Sequence, residues 1–212
     1  MTEIAKRILS SFLLLSLLYF AILYKSVLFI LLIFIFYEIF CEFYFIFKKI
    51  LKKKINLYLI LLATLLYLFF LIYIIWLSLV INSNELKLTF LLILSICIST
   101  DVGGYIFGKI IKGKKLTKIS PNKTYSGMLG SYFLSFIITF FIFKGIINYK
   151  DILFYSILTS SISQIGDLFI SYLKRKSKIK DTGRLIPGHG GILDRFDGII
   201  FSIPLTIFIG NL

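Results

Sequence analysis

The stretch Val27-Leu-Phe-Ile-Leu-Leu-Ile-Phe-Ile-Phe-Tyr-Glu-Ile-Phe-Cys-Glu-Phe-Tyr-Phe-Ile-Phe47 decides the fold class. A helix that crosses a bilayer needs roughly 20 mostly apolar residues, and this run has that length and character. Comparable runs lie on both sides of it, at about 8–24, 57–81, 88–108, 127–143, 152–173 and 191–210. Hydrophobic residues make up 58% of the 212-residue chain. A soluble domain holds about 45–50%, so one core could not bury them all. The reading is an all-α, polytopic transmembrane helical bundle of about seven spans. The 57–81 run is long enough for one tilted helix or two short ones. Met1–Ile22 resembles a signal peptide, with Lys6 and Arg7 ahead of an apolar run. It lacks a small-residue cleavage site and more spans follow, so it reads as an uncleaved first helix.

The formal net charge is +14. Its placement excludes a nucleic-acid partner, because the basic residues sit between apolar runs rather than on a soluble face. With seven spans, 20 of the 24 Lys and Arg fall on the side of the N-terminus and 4 on the other. The positive-inside rule then puts the N-terminus in the cytoplasm. Arg is more telling than the abundant Lys, with 4 against 20, and three of the four (Arg175, Arg184, Arg195) lie close together. Cys41 and Cys97 lie inside apolar runs with no metal-ligand spacing, and no disulfide is implied.

The two halves differ in kind. All 14 Gly lie from Gly103 onward, as do every Pro and the only His. Residues 1–100 read as a helical scaffold and 101–212 as a catalytic region with its polar site on the cytoplasmic side. The scaffold's exceptions are Glu38 and Glu42, at i and i+4 on one helix face. They read as structural, within reach of Lys48 or Lys49.

Three segments of the second half carry candidate chemistry. The first is Asp101-Val-Gly-Gly-Tyr-Ile-Phe-Gly-Lys109 with Ser120-Pro-Asn-Lys-Thr-Tyr-Ser-Gly127. Asp101 interrupts an apolar run, and Lys123 and Thr124 offer a cation and a hydroxyl to a phosphate. The second is Gly166-Asp167-Leu-Phe-Ile-Ser171, leading into Lys174 and Arg175. A carboxylate deep in a span is costly and points to a cation or a proton. Ser160, Ser161, Ser163 and Gln164 precede it and could be interhelical hydrogen-bond glue. The third runs from Lys180-Asp181 to Pro187-Gly-His-Gly-Gly-Ile-Leu-Asp-Arg-Phe-Asp197. Asp194 and Asp197, at i and i+3, share one helix face. Gly190 and Gly191 would let main-chain N–H groups meet an anion at a helix N-terminus. Arg195 adds a planar fork suited to phosphate. His189 has no second His or Cys near it and reads as a hydrogen-bonding residue of the loop. Hard carboxylate oxygens beside phosphates suit Mg²⁺. These parts fit phosphoryl or nucleotidyl transfer between a lipid and a soluble substrate.

Ser171-Tyr-Leu-Lys-Arg, Lys180-Asp181 and Pro187-Gly-His-Gly-Gly-Ile-Leu-Asp-Arg-Phe-Asp197 together resemble the signature of phosphatidate cytidylyltransferases (CDP-diacylglycerol synthases). The resemblance covers about 101–198. It implies transfer of CMP from CTP to phosphatidate with Mg²⁺, giving CDP-diacylglycerol and pyrophosphate. It also implies a multi-pass protein of the cytoplasmic (inner) membrane, embedded in the lipid bilayer and dimeric, with its site facing the cytoplasm. By matching position it makes Asp167, Asp194 and Asp197 metal-site carboxylates. It makes Lys174, Arg175, Lys180 and Arg195, with Lys123, the residues that handle phosphates, and Lys174, Arg175 and Arg195 stand with the three aspartates as catalytic. Thr124, His189, Gly190 and Gly191 complete the candidate phosphate-binding set on the reading of the residues themselves. The chain departs from the family at Ile170, where Glu is common, and at Tyr125-Ser126, where Trp-Glu is common. It is also short for the family. The rival readings are a CTP-dependent lipid-alcohol kinase and a non-catalytic transporter or scaffold. The second predicts inverted repeats, which the sequence lacks.

Overall fold

The computed structural model describes residues 24–80, 84–183, 185 and 190–210. Six helices lie within them: α1 (Lys25–Ile50), α2 (Lys54–Val80), α3 (Asn84–Ile110), α4 (Tyr125–Phe143), α5 (Tyr149–Lys176) and α6 (Leu193–Gly210). Only isolated β-bridges accompany them, so the all-α class holds among the described residues. Helices α1 to α5 are each long and apolar enough to cross a membrane. The run at 57–81 is one helix, α2, which resolves the alternative the sequence left open. The span expected at 8–24 lies outside the described residues, apart from Tyr24. Helix α6 is only 18 residues long and carries Asp194, Arg195 and Asp197 near its start.

The described residues divide into two compact units. One comprises Met1–Ile81 with Leu173–Phe196, the other Asn82–Tyr172 with Asp197–Leu212. The sequence's division at residue 100 follows composition and chemistry, whereas this one follows spatial packing. Stretches 173–183 and 190–196 belong with α1 and α2, and α3 belongs wholly to the second unit.

In the first unit, α1 buries Leu32, Phe36, Ile39, Phe43 and Ile46, a stripe at helical spacing. Helix α2 buries Leu61, Leu68, Leu71 and Ile75. Phe29 and Trp76 meet edge to face, with centroids 5.2 Å apart. Other large apolar side chains of both helices, such as Ile30, Tyr37, Leu59 and Leu66, are exposed. A water-soluble surface would not carry such a coat, whereas a helix facing hydrocarbon needs it. At the C-terminus of α5, Lys178 adopts a left-handed φ of 57°. Its N–H donates to the Arg175 carbonyl and the Ile179 N–H to the Lys174 carbonyl, at 3.1 and 3.0 Å, a Schellman termination.

In the second unit, α3 and α4 pack closely because both carry glycines at the crossing. A Cβ on Gly103 would lie 2.7 Å from the Gly130 carbonyl oxygen, and one on Gly127 2.8 Å from that of Gly104. A Cβ on Gly130 would run into the Phe107 ring. The glycines after Asp101 thus serve helix–helix approach. A seam of hydroxyls joins the helices of this unit. Thr100 donates to Ser160 Oγ at 3.0 Å and Ser131 to the Thr100 carbonyl at 2.7 Å. Thr139 pairs with Ser156, Thr159 with Thr206, and Tyr132 with Ser161. Gln164 donates to Ser160 Oγ at 3.2 Å. Ser160 and Ser161 thus act as the interhelical glue that the sequence offered as a reading, whereas Gln164 bonds within its own helix. The apolar end of this unit closes on Leu92, Ile96, Phe143 and Ile152. Cys41 and Cys97 are free thiols, Cys97 fully buried.

Candidate active site

Among the described residues, each unit holds a cluster of charged side chains to which both α5 and α6 contribute.

In the second unit the cluster is acidic. Asp101 stands on α3, Asp167 on α5 and Asp197 on α6. Asp197 and Asp167 lie within hydrogen-bonding reach of each other, and Asp101 is near enough to interact with both electrostatically. Lys123 forms an ion pair with Asp167 Oδ2. Ser171 donates to Asp167 Oδ1 at 3.4 Å, and the Gly198 N–H to Asp197 Oδ1 at 2.9 Å. Gly166 must be glycine for this approach, because a Cβ would lie 2.6 Å from the Phe201 ring and 2.9 Å from the Asp197 carbonyl oxygen.

The loop before α4 delivers Lys123. The Leu116 N–H donates to the Lys123 carbonyl at 2.8 Å, the Lys123 N–H to the Ser120 carbonyl at 3.1 Å, and the Tyr125 N–H to the Lys114 carbonyl at 3.1 Å. Thr124 ends the loop as the N-cap of α4, accepting the Gly127 N–H at 3.1 Å. Its hydroxyl also pairs with Ser126 at 3.0 Å. In this structure Thr124, read from sequence as a phosphate ligand, caps a helix.

In the first unit the cluster surrounds two carboxylates. Asp194, in the first turn of α6, accepts the Lys174 ammonium on Oδ1 at 2.7 Å. Its Oδ2 accepts the Thr182 N–H at 2.8 Å, the Thr182 hydroxyl at 3.1 Å and the Gly191 N–H at 3.2 Å. The ion pair is largely shielded, with Lys174 and Asp194 side chains 16% and 12% exposed. Glu42 of α1 is the second carboxylate, only 4% exposed. It accepts the Ile192 and Leu193 N–H groups, each at 2.9 Å, and the Thr182 hydroxyl.

The arrangement bears on several expectations. Asp167 and Asp197 come together, whereas Asp194 belongs to the other unit with four donors of its own. The N–H groups of Gly191, Ile192 and Leu193, at the start of α6, are taken up by Asp194 and Glu42. The sequence reading aimed this helix end at a bound anion. Glu42 is held by the chain's own loop rather than by Lys48 or Lys49. Gly190 has a left-handed φ of 83°, which glycine adopts without strain. Arg175, Lys180 and Arg195 are exposed. His189 lies outside the described residues. Asp101 and Glu42 are additions to the expected set. Both were visible only as charges that interrupt apolar runs. Ile170, where the family signature commonly has Glu, is fully buried.

Among the described residues no three His, Cys, Asp or Glu side chains form a metal-binding group. Mg²⁺ does not require one, since it is commonly held by one or two carboxylates plus substrate phosphates and water. The adjoining Asp167 and Asp197 supply that hard-oxygen donor set. Their chemistry fits the ion.

Five helices long and apolar enough to cross a membrane, with carboxylates and lysines paired among them, mark the class as a polytopic membrane protein. The chain matches the cytidylyltransferase family over residues 2–212 and belongs to it. Over 143 residues it is 43% identical to a phosphatidate cytidylyltransferase of Rickettsia bellii (strain RML369-C), covering 62% of each chain. Over 134 residues it is 48% identical to a protein of the same name from Rickettsia felis, covering 58% of this chain and 59% of the relative. Over 110 residues it is 44% identical to one from Staphylococcus haemolyticus, covering 50% and 42%. The chain thus spans about half the length of the relatives it matches.

Proposed function

We propose that the chain transfers CMP from CTP to phosphatidate, giving CDP-diacylglycerol and pyrophosphate, at a site open to the cytoplasm. The observation that carries this reading is the grouping of Asp101, Asp167 and Asp197, with Lys123 paired to Asp167, in an apolar helical protein of the cytidylyltransferase family. The names of its relatives support the choice of lipid and nucleotide.

In the reaction a phosphatidate phosphate oxygen forms a bond to the α-phosphorus of CTP. The bond from that phosphorus to the α–β bridging oxygen breaks, and pyrophosphate leaves with the electron pair. The groups in play are anionic throughout, so the protein's task is positioning and charge neutralisation. Asp167 and Asp197 would hold Mg²⁺, which when bound neutralises phosphate charge. Lys123 supplies an ammonium at the same cluster, and Asp101 adds to the field that favours a cation there. We assign Asp194 the task of ordering the signature loop through Thr182 and Gly191. Lys174 neutralises Asp194, and Arg175, Lys180 and Arg195 are exposed basic residues that we assign to polyphosphate binding.

The topology belongs to the same proposal: seven spans, N-terminus in the cytoplasm, a homodimer in the cytoplasmic membrane. The 20-to-4 division of basic residues supports the orientation.

The test supplies purified protein with phosphatidate, Mg²⁺ and CTP labelled at either the α- or the γ-phosphate. Label in the lipid from α-labelled CTP alone is the expected result. Lipid label from γ-labelled CTP would make the protein a lipid kinase instead.

A further inference from the structure

Glu42 stands on α1, in the half of the chain that the sequence reads as scaffold, and its carboxylate is almost fully buried. A buried carboxylate among apolar side chains is expensive unless donors surround it. Three groups meet this one: the N–H of Ile192, the N–H of Leu193 and the hydroxyl of Thr182. The first two open α6, where the helix dipole adds to the attraction. All three flank the segment that carries Asp194. The Thr182 hydroxyl also lies 3.1 Å from Asp194 Oδ2, so its single proton is shared between the two carboxylates.

The neighbouring glycines are shaped to the same group. A Cβ on Gly183 would run into Glu42 Oε1 and lie 3.0 Å from its Cδ. A Cβ on Gly191 would lie 2.5 and 2.6 Å from the two Glu42 oxygens, with Thr182 Oγ1 closer still. Two glycines of the signature region are therefore glycine because a side chain some 140–150 residues earlier occupies the space beside them.

We propose that Glu42 is a positioning residue. Its carboxylate is the mould against which the segments Thr182–Gly183 and Gly190–Leu193 set, and it thereby fixes where Asp194 and Lys174 stand. Its effect on transfer rests on the activity proposed above. The moulding itself does not.

Two variants separate the parts of this claim. Glu42→Gln keeps the shape but turns one acceptor into a donor facing N–H groups. Gly183→Ala keeps Glu42 and pushes a methyl into it. In each, hydrogen exchange of the segment around 182–193 should rise at least about tenfold, with exchange in α2 unchanged. Glu42→Gln should lower kcat by about 100-fold, the scale of an ångström's misplacement, with KM for CTP little changed. A merely structural loss would lower the folded fraction and leave kcat per folded molecule intact.

The decisive measurement is a double-mutant cycle on the unfolding temperature. Gly183→Ala should cost clearly less in a Glu42→Ala background than in the native chain, since its main obstacle is then gone. Equal costs in both backgrounds, or native exchange at 182–193 in both single variants, would overturn the proposal. These two readouts need no turnover. An inactive wild type with a coupled cycle would therefore reject the proposed activity and retain the role of Glu42.

Discussion

Replacing Lys174 by Met tests how much of the signature loop's order depends on one shielded ion pair. The Lys174 ammonium lies 2.7 Å from Asp194 Oδ1, and both side chains are mostly out of solvent. Removing one partner of a buried pair costs about 3–5 kcal/mol. Asp194 keeps three further donors, from Thr182 and Gly191, so its charge is not stranded. Residual exposure screens it further. The expected loss is therefore about 2–3 kcal/mol. At roughly 2–4 °C per kcal/mol for a chain of this size, the unfolding temperature should fall by about 4–12 °C. The assay is thermal unfolding in detergent, followed for the single variants and for Lys174→Met/Asp194→Asn. The double variant should recover part of the loss, because the neutral amide no longer lacks a cation. A fall below about 2 °C in the single variant, or fully additive losses in the double, would refute the reasoning.

Other outcomes follow from the same geometry. Lys178→Gly should raise the unfolding temperature by about 1–4 °C, since glycine accepts the left-handed φ that a side chain resists by about 1 kcal/mol; an unchanged or lower temperature would count against the Schellman termination. Gly130→Ala should destabilise by about 1–3 kcal/mol, because its methyl enters the Phe107 ring and forces α3 from α4; unfolding of the variant against wild type measures it. Lys123→Met should cut CMP transfer by about 100-fold, because it removes the ammonium paired with Asp167 in the Asp101, Asp167 and Asp197 cluster. A loss under about threefold would reduce Lys123 to a structural partner.

Much of the fold was legible because membrane helices announce themselves by composition. The runs behind α1 to α5 follow from length and apolarity alone, and the structure settles 57–81 as one helix. Asp167 was legible for a related reason, since a carboxylate inside an apolar run needs a partner. Its partners, Lys123 and Asp197, are 44 and 30 residues away in the chain, and only the packing of α5 with α6 and the loop before α4 joins them. The glycines have packing roles that the sequence did not show: those after Asp101 lie at a helix contact, and Gly191 has Thr182 and Glu42 filling the space beside it. Glu42 itself gave no clear signal, because two lysines about two turns along its helix offered a simpler account. Ile170 was a departure from the resembled signature, and its complete burial shows an apolar side chain accommodated by packing.

The geometry also selects the variant for the central test. Asp194 supports its loop, so its replacement would confound chemistry with folding. Asp197 receives one backbone N–H, from Gly198, and faces Asp167. The most direct measurement is therefore transfer of label from α-labelled CTP to phosphatidate by wild type and Asp197→Asn, with and without Mg²⁺, on protein whose unfolding temperature is known. The account predicts Mg²⁺-dependent lipid label from wild type and none from a variant that unfolds at a similar temperature. Lipid label that persists in Asp197→Asn, or is absent from well-folded wild type, would contradict it.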